Sequence, residues 1–373
     1  MRIGIPKETA FEEKRVSIAP AGVDQLVKAG HTIYIESNAG TGSHFSNEEY
    51  QKMGALLVYS AEEIYQRSEM IVKVAPPSEN EAEMFEDEQI LFSFLNISLS
   101  KQKVMQLFIN KRITSINYEL IEKEDHFPVS QSMSEIAGQL AVQLGENYLS
   151  SDFESGRGVL LGGITGVAPA AVVILGAGVV GLHAAKAALG RGAQVIVLDK
   201  DLSRLQRLKT LAPSHLTTVV ANPYTISRGV KFADILITAI KVQGEKAPHI
   251  ITEEMVKTMK KGAVIVDVSI DQGGAVETSR PTSHSHPVFI KHGVIHYCVP
   301  NIPSLVSRTA SYGLTNSALE FILSVADKGF INALNQKKGL INAVFTHSGY
   351  CSNSAVASVF NLEYKKIYTS AEN

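Results

Sequence analysis

The chain has 373 residues, of which 45% are hydrophobic and 19% are charged, and its formal net charge at pH 7 is −2. This length favours two domains, since single hydrophobic cores rarely grow beyond about 250–300 residues. The near-neutral charge gives no reason to expect a nucleic-acid or membrane-surface partner, and no apolar run reaches the roughly 18 residues of a membrane span. Cys298 and Cys351 form neither a disulfide framework nor a metal-binding spacing. We therefore predict a globular, cytoplasmic protein without a bound metal.

The first third of the chain alternates between strand and helix patterns. Residues 2–5 lack the apolar length of a signal peptide and are predicted to form the first strand. A helix is predicted to start at Pro20 and to end at Gly30. The other predicted strands are 32–36, 56–58, 70–74, 89–95 and 114–117, separated by helices that include 61–67 and 101–109. This alternation predicts a mostly parallel sheet with helices on both faces.

A second α/β region follows a long predicted helix. Ser132 and Glu135 have the spacing of a capping box, which predicts that the helix starts there. Strands are predicted at 171–175, 195–198, 235–239, 263–268 and 294–297, and another long amphipathic helix at 311–328. We therefore predict an α/β fold of two Rossmann-like domains with mostly parallel sheets. Long helices would link the domains, and the carboxyl ends of the strands would open onto a cleft between them.

The most informative motif is a glycine-rich turn, Gly176-x-Gly178-x-x-Gly181, between a predicted strand and a predicted helix. In this context the glycines permit a tight turn, close approach of a pyrophosphate, and packing of the helix on the strand. The helix N-terminus then presents unpaired N–H groups to the phosphates. Asp199 ends the next strand and is predicted to accept hydrogen bonds from the adenosine ribose, which favours NAD over NADP because a carboxylate repels a 2′-phosphate. The alternative is a glycine-rich turn that binds no cofactor.

Four polar residues elsewhere are candidates for chemistry. Arg15 lies in a polar loop, where it can hold a substrate carboxylate or be an ordinary solvated arginine. Lys73 lies within an apolar predicted strand, which a lysine tolerates only if it reaches solvent or points into a cleft. Asp271 follows a buried strand and is predicted to face cofactor and substrate, unless it only caps its own turn. Ser134 is predicted to cap the long helix, to contact the cofactor, or both.

Several longer motifs resemble those of the alanine dehydrogenase and transhydrogenase α-subunit family, and the resemblance covers nearly the whole chain. The similar segments are 4–8 (GIPKE), 15–22 (RVSIAPAG), 133–138 (MSEIAG), 156–163 (GRGVLLGG), 266–274 (VDVSIDQGG), 280–284 (RPTSH) and 301–303 (NIP). Transhydrogenase subunits carry a longer loop before the inter-domain helix. Because segment 126–133 is short here, the chain is more similar to alanine dehydrogenase.

The resemblance implies a substrate domain built from residues 1–130 and 306–373 and an NAD-binding domain of residues 131–305, often in a hexamer. It implies oxidative deamination of L-alanine with NAD and water to pyruvate, ammonium and NADH. Arg15 and Lys73 would bind the substrate, and Asp271, Lys73 and Asn96 would take part in catalysis. The residues expected to contact NAD are Ser134, Gly176, Gly178, Val179, Val180, Gly181, Asp199, Arg204, Ile240, Ile270, Asp271, Asn301 and Ile302.

Two positions depart from the family pattern. Ala75 stands where alanine dehydrogenases usually carry a substrate-binding and catalytic lysine, and Asn96 stands where they usually carry a proton-exchanging histidine. An asparagine side chain hydrogen-bonds a carbonyl oxygen but does not exchange a proton near neutral pH, and loss of a general acid/base costs roughly 10²–10⁴-fold in rate. Residues 73 and 75 of one strand lie on the same face, about 7 Å apart, so Lys73 can compensate in part. The alternative is that Lys73 only performs its usual role, since family members carry a lysine at both positions.

These departures leave four hypotheses open. The first, which the overall resemblance favours, is an NAD-dependent alanine dehydrogenase with an altered site. The second is the same chemistry on another, bulkier amino or keto acid, since Ala75 and Asn96 leave space and remove charge. The third is an NAD-binding protein with a regulatory or structural role and no dehydrogenase activity. The fourth, a transhydrogenase component, is disfavoured by the short segment 126–133.

Overall fold

The computed structural model describes residues 1–96, 101–152, 155–211, 216–240 and 249–367. The chain forms two units, the first containing Met1–Met133 and Ser304–Asn373 and the second containing Ser134–Pro303. The boundaries predicted from the sequence lie after residues 130 and 305, whereas the units change after Met133 and Pro303. The first unit is therefore assembled from both ends of the chain.

The N-terminal part of the first unit alternates strands and helices. Its strands are β1 (Arg2–Ile5), β2 (Thr32–Glu36), β3 (Leu56–Val58), β4 (Met70–Val72), β5 (Ile90–Ser93) and β6 (Thr114–Asn117). Its helices are α1 (Pro20–Lys28), α2 (Asn47–Lys52), α3 (Ala61–Arg67), α4 (Glu79–Met84) and α5 (Gln102–Asn110). Every residue of β4 and β6 is buried, as expected for parallel strands covered on both faces. Because β4 ends at Val72, the predicted strand 70–74 was too long, and Lys73 lies just beyond the strand.

A capping box fixes the start of α4. The Ser78 hydroxyl accepts a hydrogen bond from the Glu81 amide at 3.2 Å, and the Glu81 carboxylate accepts one from the Ser78 amide at 2.8 Å. This reciprocal pair satisfies two N–H groups that a helix start leaves without intrahelical partners. Since Glu81 is buried, the same pair also fixes where its carboxylate lies.

The helix that joins the two units, α6, extends over Pro128–Leu149. The predicted start at the Ser132–Glu135 capping box is therefore wrong. Pro128 begins the helix because proline has no N–H to lose and its fixed φ suits the first helical position. Ser132 lies inside α6, and its hydroxyl donates to the Val129 carbonyl at 2.8 Å instead of capping an N-terminus.

The second unit contains seven described strands. These are β7 (Ala171–Leu175), β8 (Gln194–Asp199), β9 (Leu216–Val220), β10 (Ile235–Thr238), β11 (Val264–Asp267), β12 (Val288–Lys291) and β13 (Val294–Tyr297). The helices are α7 (Val179–Gly190), α8 (Leu202–Leu211), α9 (Pro223–Phe232) and α10 (Glu253–Lys257). The strand order is β12-β13-β11-β10-β7-β8-β9. All neighbours pair in parallel except β12 and β13.

The C-terminal segment completes the first unit. It consists of α11 (Ser307–Lys328), α12 (Phe330–Gln336), β14 (Val344–His347), β15 (Tyr350–Cys351) and α13 (Ser354–Phe360). The eight-stranded sheet has the order β15-β14-β6-β5-β4-β1-β2-β3, and β14 joins β6 in antiparallel orientation. The predicted α/β class with two mostly parallel sheets is confirmed.

Both sheets share one topological feature that locates ligand sites. In each, the strand order reverses between two central parallel neighbours, β1 and β4 in the first unit and β7 and β10 in the second. Ligands of open α/β sheets bind outside the carboxyl ends of the strands at such a switch point. None of the described helices is long and apolar enough to cross a membrane.

Candidate active site

The glycine-rich turn lies at the switch point of the second unit, between β7 and α7. Gly176 has φ of +111°, and a Cβ atom there would lie 2.4 Å from the Ala239 carbonyl oxygen. A Cβ at Gly181 would lie 1.9 Å from the Gly176 carbonyl oxygen. Both distances are far below a normal contact. Glycine is thus required at these two positions by the turn and by the packing of the helix on the strand.

Gly178 differs from the other two glycines because the space beside it is open. It is the N-cap residue of α7, and a Cβ there would meet no atom within 4 Å among the described residues. The backbone at Gly178 therefore borders open space at the N-terminus of a helix. An N-terminus of this kind, with accessible N–H groups and a positive dipole end, suits a pyrophosphate. The residues present thus fit the phosphates of a dinucleotide.

Asp199, at the end of β8, holds the glycine-rich turn in place. Its Oδ2 accepts a hydrogen bond from the Ala177 amide at 2.6 Å, and its Oδ1 accepts one from the Asp201 amide at 2.9 Å. The carboxylate thus lies beside the turn, and its predicted contact with the ribose stays a prediction. Arg204, on α8, is exposed, and its guanidinium lies 3.6 Å from the Asp201 carboxylate.

Ser134, another predicted cofactor residue, lies half-buried in α6. One helical turn further on, a Cβ at Gly138 would lie 2.4 Å from the Val180 carbonyl oxygen. Residues four apart on a helix share a face, so Ser134 lies on the face of α6 that packs against the start of α7.

A buried carboxylate organises the turn after β11. Asp267 accepts hydrogen bonds from the Ser269 amide at 3.1 Å and the Ala275 amide at 3.1 Å, and burial raises its pKa above the ordinary value. The Ser269 hydroxyl in turn accepts a hydrogen bond from the Ile240 amide at 3.0 Å, which ties the end of β10 to this turn. Asp267 therefore caps the turn that follows β11.

Asp271 lies in the single 3₁₀ turn Val268–Gln272 that follows β11. The turn directs Ile270 into the core and leaves Asp271 exposed. The Asp271 carboxylate accepts a hydrogen bond from the Asn301 amide at 3.2 Å, and Asn301 has φ of +58°. Ile302, the next residue, is buried. The structure thus brings four predicted cofactor residues together beyond the end of β11.

In the first unit, Arg15 is buried and paired with a carboxylate. Its Nε and Nη2 donate to the two oxygens of Glu13 at 2.8 and 2.6 Å, and its Nη1 donates to the Met133 sulfur at 3.3 Å. The guanidinium carbon lies 5.8 Å from the centre of the Phe94 ring. Only 7% of Arg15 is exposed, so the solvated-loop alternative is wrong. Glu13 fixes one edge of the guanidinium.

Lys73 lies at the switch point of the first unit, between two carboxylates. Its ammonium nitrogen is 2.6 Å from Glu81 Oε1 and 3.2 Å from Glu8 Oε2, and its side chain is 1% exposed. Burial alone would lower the pKa of Lys73, but the two carboxylates outweigh burial and raise it. Burial likewise works against the charged form of Glu81, yet Lys73 and Ser78 bring the pKa of that carboxyl below its ordinary value.

Glu8 and Glu81 were not singled out from the sequence, although a signal for them exists. A lysine at the end of a buried strand requires a carboxylate partner. Glu8 follows β1 and therefore lies at the same sheet edge as Lys73, which follows β4. Glu8 also accepts hydrogen bonds from the Val74 amide at 2.6 Å and the Ala75 amide at 3.2 Å.

Comparison with known proteins gives the family. A model described as the alanine dehydrogenase/PNT N-terminal domain matches residues 4–137, and one described as the C-terminal domain of the same family matches residues 141–354. The chain belongs to the alanine dehydrogenase/PNT family.

Individual relatives agree with this over the full length. The alanine dehydrogenase of Methanococcus maripaludis is 45% identical over 366 residues, which cover 98% of each chain. The alanine dehydrogenase of Staphylococcus epidermidis is 42% identical over 369 residues, 98% of this chain and 99% of that protein. A solved L-alanine dehydrogenase has a TM-score of 0.92 at 41% identity over 97% of this chain and 99% of its own. A Sinorhizobium meliloti transhydrogenase structure, with a TM-score of 0.80 at 23% identity, shares the fold.

Family membership and the glycine-rich turn together identify the chain as an NAD-dependent oxidoreductase of the alanine dehydrogenase class, whose members act on the CH–NH2 group of an amino acid. The predicted family and the NAD cofactor are confirmed. Across the described residues, no group of three or more His, Cys, Asp or Glu side chains is arranged to hold a metal ion.

Ala75 and Asn96 are the two positions predicted from the sequence to depart from the family pattern, and the Ala75 amide donates to Glu8 Oε2 at 3.2 Å. Ala75 is 9% exposed, and its carbonyl accepts a hydrogen bond from the Ser93 hydroxyl at 2.8 Å. Asn96 is half-buried just after β5. The compensation expected of Lys73 has no support here, because its ammonium already binds Glu8 and Glu81.

Proposed function

We propose that the chain catalyses the NAD-dependent oxidative deamination of a small L-amino acid. With L-alanine, the substrate in the names of its relatives, the reaction converts L-alanine, NAD and water to pyruvate, ammonium, NADH and a proton. The observation that carries this proposal is the open N-terminus of α7 at Gly178, where the helix start and the switch point of the sheet coincide. NAD bound there supplies the acceptor for the hydrogen that leaves the substrate Cα.

The substrate carboxylate binds Arg15 in this proposal. Glu13 occupies the Nε and Nη2 edge of the guanidinium, and Nη1 donates to the Met133 sulfur, so the substrate carboxylate in this proposal binds at the Nη1 end, beside Met133. A planar guanidinium held by a bidentate carboxylate loses little further freedom when it binds a second one. Lys73 acts indirectly in this proposal, by holding Glu8 and Glu81 in position, and does not contact the substrate.

Proton exchange is assigned to Asp271. Its carboxylate is exposed and held by the Asn301 amide, so it can exchange protons with water. Asn96 contributes only a hydrogen bond to the substrate carbonyl or imine. Because an amide does not replace a titrating group, we expect a rate below that of relatives with histidine at this position, by roughly 10²–10⁴-fold.

The second candidate is an NAD-binding protein that turns over another amino or keto acid, or none. Ala75 and Asn96 favour it, since both lack the ionisable group expected at their positions. The two candidates differ in one result. The first requires NADH formation with L-alanine or another small L-amino acid, whereas the second allows NAD binding without any NADH formation.

The deciding experiment follows NADH formation with L-alanine and then with a panel of amino acids, and measures NAD binding by calorimetry. Tight NAD binding without turnover of any amino acid would exclude the dehydrogenase proposal. The variants Ala75→Lys and Asn96→His, separately and combined, test whether residues 75 and 96 are the cause of low or absent turnover of L-alanine. If the double variant gains L-alanine turnover, these two residues limit the wild-type activity.

Assembly and location stay predictions. We propose that the chain forms a homo-oligomer, and the family resemblance implies a hexamer. Light scattering on the purified protein tests this, and a monomer at working concentration would contradict it. A cytoplasmic location is tested by fractionation. We assign the chain no nucleic-acid partner, and a shift of its mobility with DNA or RNA would contradict that assignment.

A further inference from the structure

The carboxylate of Asp199 is bound to the backbone around the glycine-rich turn. Only 7% of Asp199 is exposed, and each of its oxygens accepts a hydrogen bond from an amide, one from Ala177 at 2.6 Å and one from Asp201 at 2.9 Å. Hydrogen bonds to an ionised carboxylate are among the stronger ones in proteins. Asp199 thus fixes both the turn and the backbone of the residue that precedes α8.

A second carboxylate lies in the same loop and is far more exposed. Asp201 precedes α8, and its Oδ1 accepts hydrogen bonds from the amides of Ser203 at 2.8 Å and Arg204 at 3.3 Å. Its Oδ2 lies 3.6 Å from Nε of Arg204, and the side chains of Asp201 and Arg204 are 45% and 60% exposed. One exposed carboxylate therefore binds two amides at the helix start and one arginine.

These three groups are of the kind that binds a phosphate. In dinucleotide-binding βαβ units, the acidic residue at the end of the second strand contacts the adenosine ribose, and an arginine nearby accommodates the 2′-phosphate of NADP. Arg204 follows β8, which ends at Asp199, and lies within the first turn of α8. Backbone amides at a helix start also bind phosphates. The loop thus contains donors for a 2′-phosphate, but Asp201 already binds them.

Charge and hydrogen bonding both disfavour a 2′-phosphate in this loop. The phosphate would meet the negative charge of Asp201 in a loop that already contains the carboxylate of Asp199, and like charges brought together in a binding site strongly disfavour a wrong partner. The phosphate would also have to displace Asp201 from Arg204 and from the two amides. The 2′-hydroxyl of NAD is uncharged and binds without displacing Asp201.

We propose that Asp201 is a specificity-determining residue for the cofactor: its carboxylate holds the donors that a 2′-phosphate needs, and thereby excludes NADP. Asp199 supports this role by fixing the Asp201 backbone. The inference goes beyond the proposed function, since it concerns the choice between two cofactors and does not depend on which amino acid is oxidised.

The test measures the dissociation constants of NAD and NADP by calorimetry, without an amino acid present. Wild type is expected to bind NAD about 100-fold or more tightly than NADP. Asp201→Asn removes the charge and releases Arg204, but it keeps a side-chain oxygen for the helix-start amides. The ratio of the two constants is expected to fall about 10-fold or more, the size of one charge-assisted hydrogen bond. An unchanged ratio, or equal binding of both cofactors by wild type, would overturn the proposal.

Two further variants separate the contribution of Arg204 from a general change of charge. In Asp201→Asn/Arg204→Gln the guanidinium is absent, and most of the gain in NADP binding is expected to be lost; a gain that persists in full would refute the role of the arginine. Glu254→Gln removes one exposed carboxylate from α10 of the same unit. The neighbouring Glu253 pairs with Lys291 on β12, at the far edge of the sheet from β8 and β9. This control is expected to leave the ratio unchanged, and an equal shift in it would refute the proposal.

Thermal unfolding and turnover keep the outcomes distinct. The Tm of Asp201→Asn is expected within about 3 °C of wild type, because asparagine and aspartate precede helices equally well. Asp201→Ser, another neutral residue favoured at this position, repeats the test with a smaller side chain. The binding ratio is measured without turnover, so it stands even if no amino acid is oxidised and the dehydrogenase proposal fails. If L-alanine is oxidised equally well with NAD and NADP, the dehydrogenase proposal stands and the role of Asp201 is excluded.

Discussion

Replacing Gly178 with alanine tests the cofactor site most directly, because the structure predicts a loss of binding without a loss of folding. Gly178 has φ of −74° and ψ of −163°, an extended conformation that alanine adopts without strain. The added Cβ meets no described atom within 4 Å. It projects instead into the space at the start of α7 that the pyrophosphate requires.

The expected magnitudes follow from this geometry. Alanine is a poorer N-cap than glycine by up to about 1 kcal/mol, and it gains about 0.4–1 kcal/mol from the reduced freedom of the unfolded chain. The two nearly cancel, so Tm is expected to change by no more than about 3 °C. Displacing the phosphates costs at least one charge-assisted hydrogen bond to a backbone N–H. That loss corresponds to about 10–150-fold in the Kd for NAD.

The assay is NAD titration by calorimetry together with thermal unfolding of the same samples. Gly190→Ala is the matched control, since Gly190 ends the same helix and also has nothing within 4 Å. It is expected to leave the Kd unchanged and to stabilise the protein by up to about 1 kcal/mol. If Gly178→Ala folds and binds NAD as tightly as wild type, the pyrophosphate does not lie at this turn and the reasoning fails.

Three further predictions concern stability and reactivity. Lys73→Met leaves the carboxylates of Glu8 and Glu81 buried without their cation and is expected to lower the free energy of unfolding by about 3–5 kcal/mol. A loss below about 1 kcal/mol in urea titrations would contradict a buried ion pair of Lys73 with these two carboxylates. Burial lowers the pKa of His296 from 6.5 to about 4, so the unfolded state binds more protons than the folded state between these two pH values. The free energy of unfolding is therefore expected to decrease as the pH is lowered from about 6.5 to about 4, by about 3 kcal/mol in total. Unfolding experiments across that range should show a smaller loss in His296→Gln. Burial also raises the pKa of Cys298 to about 12, and Cys351 is buried too, so a thiol reagent should label the protein only after unfolding.

The strands that the sequence predicted are mostly those buried on both faces. Strands β7 and β10 are buried at every residue, and their apolar runs identify them. Strands β9, β12, β14 and β15 were missed. Strands β9, β12 and β15 are edge strands of their sheets, and β14 is ordered by antiparallel pairing with β6, which is distant along the chain. An edge strand pairs with only one neighbouring strand, and a short sequence pattern does not reveal that pairing.

The glycine-rich turn of the candidate site could be predicted from the sequence, whereas the partners of Lys73 and Arg15 could not. The turn from Gly176 to Gly181 was predictable because the constraints on it are local: a strand, a turn and a helix start within a few residues. The partners of Lys73 were not, because Glu8 is 65 positions away and meets Lys73 only through the pairing of β1 with β4. Arg15 was predicted as a carboxylate clamp, but its burial and its pairing with Glu13 follow from tertiary packing.

The position of Lys73 changes what the departure at residue 75 means. From the spacing alone, a lysine two residues away was expected to reach the place that Ala75 leaves vacant. For the ammonium of Lys73 to move there, it would have to leave Glu81 and Glu8, and breaking a buried pair of this kind costs about 3–5 kcal/mol. That cost corresponds to a population of the displaced state below about one in a hundred, too small to sustain catalysis near the rate of a fixed lysine. Lys73 therefore holds Glu8 and Glu81 in position and does not supply a positive charge beside Ala75.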